Sequence, residues 1–118
     1  MSSANYPKEA RLHRPSEFAA VFSNKRVTRG ALFTLHQSTH PLETARLGLV
    51  IAKKNAPRAV TRSTIKRVVR EIFRQRRHQL PPKDFVVRLH RVVVPCSLRE
   101  LRQKVRQDVE PLFDRWQK

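Results

Sequence analysis

Apolar residues along this chain fall into short blocks whose spacing alternates between helical and extended. Phe18, Val21 and Phe22 stand at helical spacing behind Pro15-Ser16. With Ser16 as the expected N-cap and Glu17 favourably placed in the first turn, this predicts a short helix over 16–23. Asn24 and Gly30 mark the next turn. Residues 31–37, with Leu32, Phe33, Thr34 and Leu35, read as a strand, and 24–37 leaves room for a further short one. His40-Pro41 breaks the run. Residues 46–52 carry Leu47, Leu49, Val50 and Ile51 without polar alternation, the pattern of a strand buried on both faces. The gap between these two runs predicts an antiparallel hairpin with a long loop.

The clearest helix spans 61–79, where Ile65, Val68, Val69, Ile72 and Phe73 share one face. Pro81-Pro82 ends it. Residues 84–94 (DFVVRLHRVVV) form the longest β-branched run and predict a strand stopped by Pro95. Ser97 and Glu100 make a capping box, after which Leu98, Leu101, Val105, Val109 and Leu112 trace a second long helix. Phe113 and Trp116 continue its apolar side, and Pro111 should kink it or start a fresh turn near Glu110. The elements run α-β-β-α-β-α, an α+β domain with helices against one sheet. The 118 residues fit one domain, 1–118, with 1–11 as a flexible basic lead-in.

Charge changes the picture from fold to partner. Lys and Arg number 26 against 9 Asp and Glu, a net charge of +17, a surplus best tolerated when a polyanion takes it up. Nucleic acid is the first expectation, and no apolar run approaches the roughly 20 residues that cross a membrane. The single Cys96 forms no internal disulfide, and 1–10 has no signal-peptide core, which suits a reducing cytoplasm. With only Gly30 and Gly48 available, a GxGxxG fingerprint and a P-loop are excluded.

The basic charge is also clustered. Between Lys53 and Arg77 stand ten Lys and Arg with one acid, Glu71. Arg62, Lys66, Arg70 and Arg77 gather on one side of the 61–79 helix beside Ser63, Arg67 and Arg74. An almost purely basic stripe costs stability through i,i+4 repulsion, as at Arg62/Lys66, Lys66/Arg70 and Arg70/Arg74, so a solvated face is the weaker reading and phosphate binding the stronger. Phe18, Phe22 and Phe33 are candidates for stacking unpaired bases, although aromatics at such spacing are more often core.

Chemistry by the side chains themselves finds little support. Asp108, Glu110 and Asp114 sit on the exposed side of a terminal helix, as charge compensation, and make no two-metal cluster. Five scattered His and one Cys lack zinc spacing. His36 and His90 would suit a metal-free ribonuclease only if they faced each other, and read more simply as sheet-face histidines. Cys96 reads as a small buried hydrophobe. No catalytic residue and no metal ligand is expected.

The stretch RLGLVIAKKNAPRAVTRSTIKRVVREIFRQRRHQLPPKDFVVRLHR resembles the protein subunit of bacterial ribonuclease P. Lys53-Lys54 match the Lys-Lys pair that ends its apolar strand and Ala59 its loop Ala, while Arg62, Ile65-Lys66-Arg67 and Arg70-Glu71 match the RNRIKRxxRE signature that follows, and Ser16-Glu17-Phe18 with Val21-Phe22 match its early helix. The chain departs from that signature at Ser63 and Thr64, where Asn and Arg are usual. The resemblance implies an α-β-β-β-α-β-α two-layer sandwich with one sheet and a left-handed βαβ crossover, where general topology favours a right-handed one. It implies a catalytic RNA subunit that uses Mg²⁺ and performs the hydrolysis, while the protein, a cytoplasmic monomer with no cofactor of its own, binds that RNA and precursor tRNA. The implied RNA contacts are Lys53, Lys54, Arg58, Arg62, Ser63, Lys66, Arg67, Arg70 and Arg74. Phe18, Phe22 and Phe33 would line a cleft for the 5′ leader. A ribosomal or other structural RNA-binding protein is the alternative; a DNA-binding helix-turn-helix lacks its second helix.

Overall fold

The computed structural model describes residues 11–12, 15–23, 27–38 and 45–115. Residues 1–10 of the lead-in expected over 1–11, the turn at Asn24, His40-Pro41 and Trp116 lie outside the described residues. In chain order the elements are α1 (Pro15–Ser23), β1 (Val27–Arg29), β2 (Phe33–Gln37), β3 (Arg46–Val50), α2 (Ala59–Arg76) with a 3-10 turn (Arg77–Gln79), β4 (Asp84–Leu89) and α3 (Leu98–Asp114). The additional short strand is β1.

One four-stranded sheet has the order β1-β2-β4-β3. β2 pairs antiparallel with β1 and with β4, whereas β3 and β4 are parallel and joined through α2. The expected β2–β3 hairpin therefore does not form, because β4 lies between the two strands. The reason is burial: five of its six residues, Asp84, Phe85, Val86, Val87 and Leu89, are buried. Such a run is most stable at the centre, paired on both edges and covered on both faces.

Strand alternation assigns two faces. Phe33, Leu35, Leu47, Phe85, Val87 and Leu89 point toward α2 and α3 and form the main core with Ile65, Val69, Ile72, Phe73, Val105, Val109 and Phe113. Burying each such side chain contributes about 1.5–3 kcal/mol. The opposite face is covered by α1 through a smaller cluster of Leu12, Val21 and Val86, with Phe18 and Val50 packed against it.

Local boundaries shift from those expected. α1 begins at Pro15, whose missing N–H suits the first helical position, so Ser16 lies inside the first turn instead of capping it. β4 stops at Leu89, where its partners run out, since Phe33 pairs with Leu89 and Val50 with Arg88. Beyond it Val92 and Val94 are exposed. The capping box holds: Ser97 Oγ accepts from the Glu100 N–H at 3.1 Å. Pro111 sits within a continuous α3, and the helix runs on to Asp114. Leu98, expected on its apolar face, is exposed.

Candidate nucleic-acid interface

On the α1 side of the sheet, Phe18 lies over β3. A β-carbon on Gly48 would fall 2.5 Å from Cε1 of its ring and 3.0 Å from a methyl of Leu12, so the ring occupies space that only a glycine leaves open. One turn on, Phe22 is more than a third exposed and meets His36 of β2 edge-to-face, centroids 4.9 Å apart at 83°. His36 Nε2 lies 3.0 Å from Thr34 Oγ1. Burial, then the charges of Arg88 and Arg29, push the His36 pKa below its ordinary value, so the ring favours the neutral form. Phe33 is not part of this surface. It faces the other way and is fully buried in the main core, because the register puts it one residue out of phase with His36.

The position of α1 is fixed by Arg46 at the start of β3. Its Nε and Nη2 donate to the two oxygens of Asp84 at 2.6 and 2.8 Å, and its Nη1 donates to Glu17 of α1 at 3.0 Å. The Asp84 side chain is only 2% exposed. Hydrogen bonding to Asp84 is the main reason the Arg46 pKa rises above its ordinary value, against the opposing effect of burial.

Along α2, Ser63, Lys66, Arg67, Arg70, Glu71 and Arg74 line an open groove of about 470 Å³ with Arg11. The stripe is exposed because the opposite face of the helix buries Thr64, Ile65, Val68, Val69, Ile72 and Phe73. Ser63 and Thr64 thus part company: Ser63 lines the groove, while Thr64 is buried with Oγ1 donating to the Val60 carbonyl at 2.8 Å. Arg74 pairs with Glu71 at 2.9 Å. Arg77, placed on the stripe by periodicity, is buried in the 3-10 turn. Lys53, Lys54 and Arg58 are exposed in the segment leading to α2. Arg62 has a structural task as well, donating from Nη1 to the carbonyls of Ala56 and Pro57 at 2.9 and 2.8 Å, which ties down that loop.

A second groove of about 260 Å³ runs from Phe18 and Gly48 to Lys66 and Arg70, and Arg11 lines both. The aromatic α1 surface and the basic α2 surface are therefore continuous. Arg11 was hidden within the lead-in, since its place depends on a non-local pairing: Arg11 bridges to Leu47, and the Leu12 N–H donates to the Leu47 carbonyl at 3.0 Å.

His36 and His90 are not brought together. His36 sits opposite Val86, four residues along β4 from His90, about 13 Å at strand rise. His90 Nε2 instead lies 3.3 Å from the Gly30 carbonyl. Cys96 is half-buried against the main core. Asp108 also departs from expectation: instead of balancing surface charge, it accepts the backbone N–H groups of Ala31, Leu32 and Phe33 at 2.6, 3.0 and 2.8 Å. Glu110 and Asp114 do face basic partners, at Arg76 and Arg106. Among the described residues no cluster of three or more His, Cys, Asp or Glu could hold a metal, and no helix is long and apolar enough to cross a membrane.

Comparison with known proteins agrees with this architecture. The family model described as Ribonuclease P matches residues 6–113. The ribonuclease P protein component of Bordetella parapertussis is 52% identical over 121 residues, covering 98% of both chains. That of Cronobacter sakazakii is 42% identical, covering 81% of each. Among solved structures, the ribonuclease P protein of Thermotoga maritima superposes with a TM-score of 0.70 at 26% identity, covering 89% of this chain and 98% of its own. A mutant of the Staphylococcus aureus ribonuclease P protein, at 20% identity and a TM-score of 0.73 over 89% of each chain, shares the fold. The chain therefore belongs to the ribonuclease P protein family, the protein subunits of a ribonucleoprotein endoribonuclease.

Proposed function

We propose that this subunit binds the catalytic RNA along α2 and receives the single-stranded 5′ leader of precursor tRNA on the α1 face of the sheet. The observation that carries this reading is the continuity of the two grooves through Arg11, Lys66 and Arg70. Phosphates of the catalytic RNA meet Lys66, Arg67, Arg70 and Arg74, with Lys53, Lys54, Arg58, Arg62 and Ser63 extending the contact at the N-terminal end of α2. Guanidinium groups fork onto two phosphate oxygens, while Lys offers a point charge. Leader bases stack on Phe18 and Phe22. The hydrolysis and its Mg²⁺ belong to the RNA, and the chain acts as a monomer in the cytoplasm.

The contribution of the protein is differential binding. A leader held beside a cationic groove favours precursor over mature tRNA, which has no leader to hold, and the same cations screen repulsion between two RNAs. The test is 5′ cleavage of a leader-bearing precursor at low Mg²⁺ with a bacterial ribonuclease P RNA, each component omitted in turn. Cleavage that needs the RNA and is strongly raised by the protein is expected; cleavage by the protein alone would overturn the assignment. Replacing Phe18 and Phe22 together by Ala should weaken precursor binding about thirtyfold or more, at roughly 1–3 kcal/mol per stacked base, and leave mature tRNA binding unchanged. Equal losses for both RNAs would remove the leader from this face.

A further inference from the structure

We infer that Arg29 of β1 and Arg88 of β4 form a phosphate track on the α1 face of the sheet, which takes the leader backbone past Phe22 and makes binding depend on leader length. This deepens the reading of that face as the leader surface and rests on it. Strand pairing places the two arginines. Arg29 stands opposite Thr34, and Thr34 opposite Arg88, so all three side chains share one face. The arginines are two strand spacings apart, about 10 Å. The face is the one that α1 covers, since His36, two residues from Thr34, meets Phe22 and stands opposite Val86 of the α1 cluster.

Register orders this face in rows across the strands. Val27, His36, Val86 and Gly48 make one row, with Phe22 against His36 and Phe18 over Gly48. Two residues along the strands, about 7 Å, comes the row of Arg29, Thr34, Arg88 and Val50. On the other side of the aromatic row, charge is neutralised, because Arg46 donates to Asp84 and Glu17. Arg29 and Arg88 instead are exposed, and no carboxylate among the described residues pairs with either. Both lie close enough to His36 for their charges to disfavour its protonated form. The fold leaves this charge uncompensated, and a polyanion relieves it. A nucleotide carries base and phosphate side by side, so bases stacked on the aromatic row bring their phosphates to the arginine row, where a guanidinium forks onto two oxygens. The groove from Lys66 and Arg70 opens at Phe18 and Gly48 of β3. With the strand order β1-β2-β4-β3, a leader entering there passes Arg88 before it reaches Arg29 at the far edge.

The test uses the full-length protein assembled with a bacterial ribonuclease P RNA, and measures its affinity for mature tRNA and for precursors with leaders trimmed stepwise. R29Q with R88Q should weaken binding of a long-leader precursor several-fold and leave mature tRNA unchanged. The slope of log K against log salt for that precursor should flatten by about 0.7–1.4, at ~0.7 per single-strand phosphate. The charge-keeping pair R29K with R88K should restore most of the slope. As the leader shortens, the loss caused by R29Q alone should vanish before that caused by R88Q alone. Affinity of the protein for the RNA subunit should stay the same; a drop there would assign these phosphates to the catalytic RNA and overturn the track. An unchanged precursor slope would overturn it too. F18A with F22A in the same assay then separates the readings: if precursor preference is lost, the leader stays on this face without the track, and if it is intact, the leader reading fails as well.

Discussion

Phe18 is seated on Gly48, and a β-carbon at that position would come within 2.5 Å of the ring. Gly48 has no positive φ, so it serves space and not backbone conformation. The colliding atoms end a side chain, and the ring gives way before the strand does. Gly48→Ala is expected to cost about 1 kcal/mol, the lower end for overpacking. It should lower the preference for precursor over mature tRNA several-fold, because the displaced ring is the one proposed to stack on the leader. Urea unfolding and paired binding measurements check both; a preference that survives intact would detach Phe18 from leader recognition.

Helix α2 was legible in the sequence because its signals are local: five apolar residues on one face and a basic run on the other need no knowledge of distant strands. Where meaning depended on pairing, local reading failed. Phe33 and His36 sit in one strand, and only the register with β4 decides which face each takes. The insertion of β4 between β2 and β3 likewise joins residues far apart in sequence. Asp108 resembles any charged residue on an amphipathic helix, and nothing within α3 announces the backbone donors more than 70 residues away.

Those donors make Asp108 a structural clasp. A β-carbon on Gly30 would fall 2.6 Å from its Oδ1, so the carboxylate and the bare glycine occupy one space. Asp108→Ala removes the acceptor for three N–H groups and should destabilise by about 2–3 kcal/mol, discounting the exposed Ala31 N–H. Asp108→Asn, with one acceptor oxygen, should lose less. Denaturant midpoints give the order; an Ala variant as stable as wild type would show the clasp to be idle.

Arg46 joins three elements, and its two carboxylates should differ sharply in weight. Arg46→Ala removes both guanidinium hydrogen bonds from the buried Asp84 carboxylate and is expected to cost about 3–5 kcal/mol. Glu17→Gln disturbs only the partly exposed arm, worth about 0–1 kcal/mol, with the Arg46–Asp84 pair intact. Equal destabilisation by the two substitutions, compared by thermal or urea unfolding, would contradict this ranking.

His36 gives the fold a pH dependence whose sign follows from its surroundings. Burial and the charges of Arg88 and Arg29 hold its folded pKa below the ordinary value of 6.5. Above that value the ring is neutral in both states and stability is unaffected. As pH falls below it, the unfolded chain takes up the proton first, so stability declines until the folded pKa is passed and then levels. The unfolding free energy of the wild type should therefore fall, relative to His36→Gln, on going from pH 7 to pH 5. Parallel urea curves across that range test it. A difference that stays constant, or runs the other way, would mean that the folded ring takes up a proton as readily as the unfolded one.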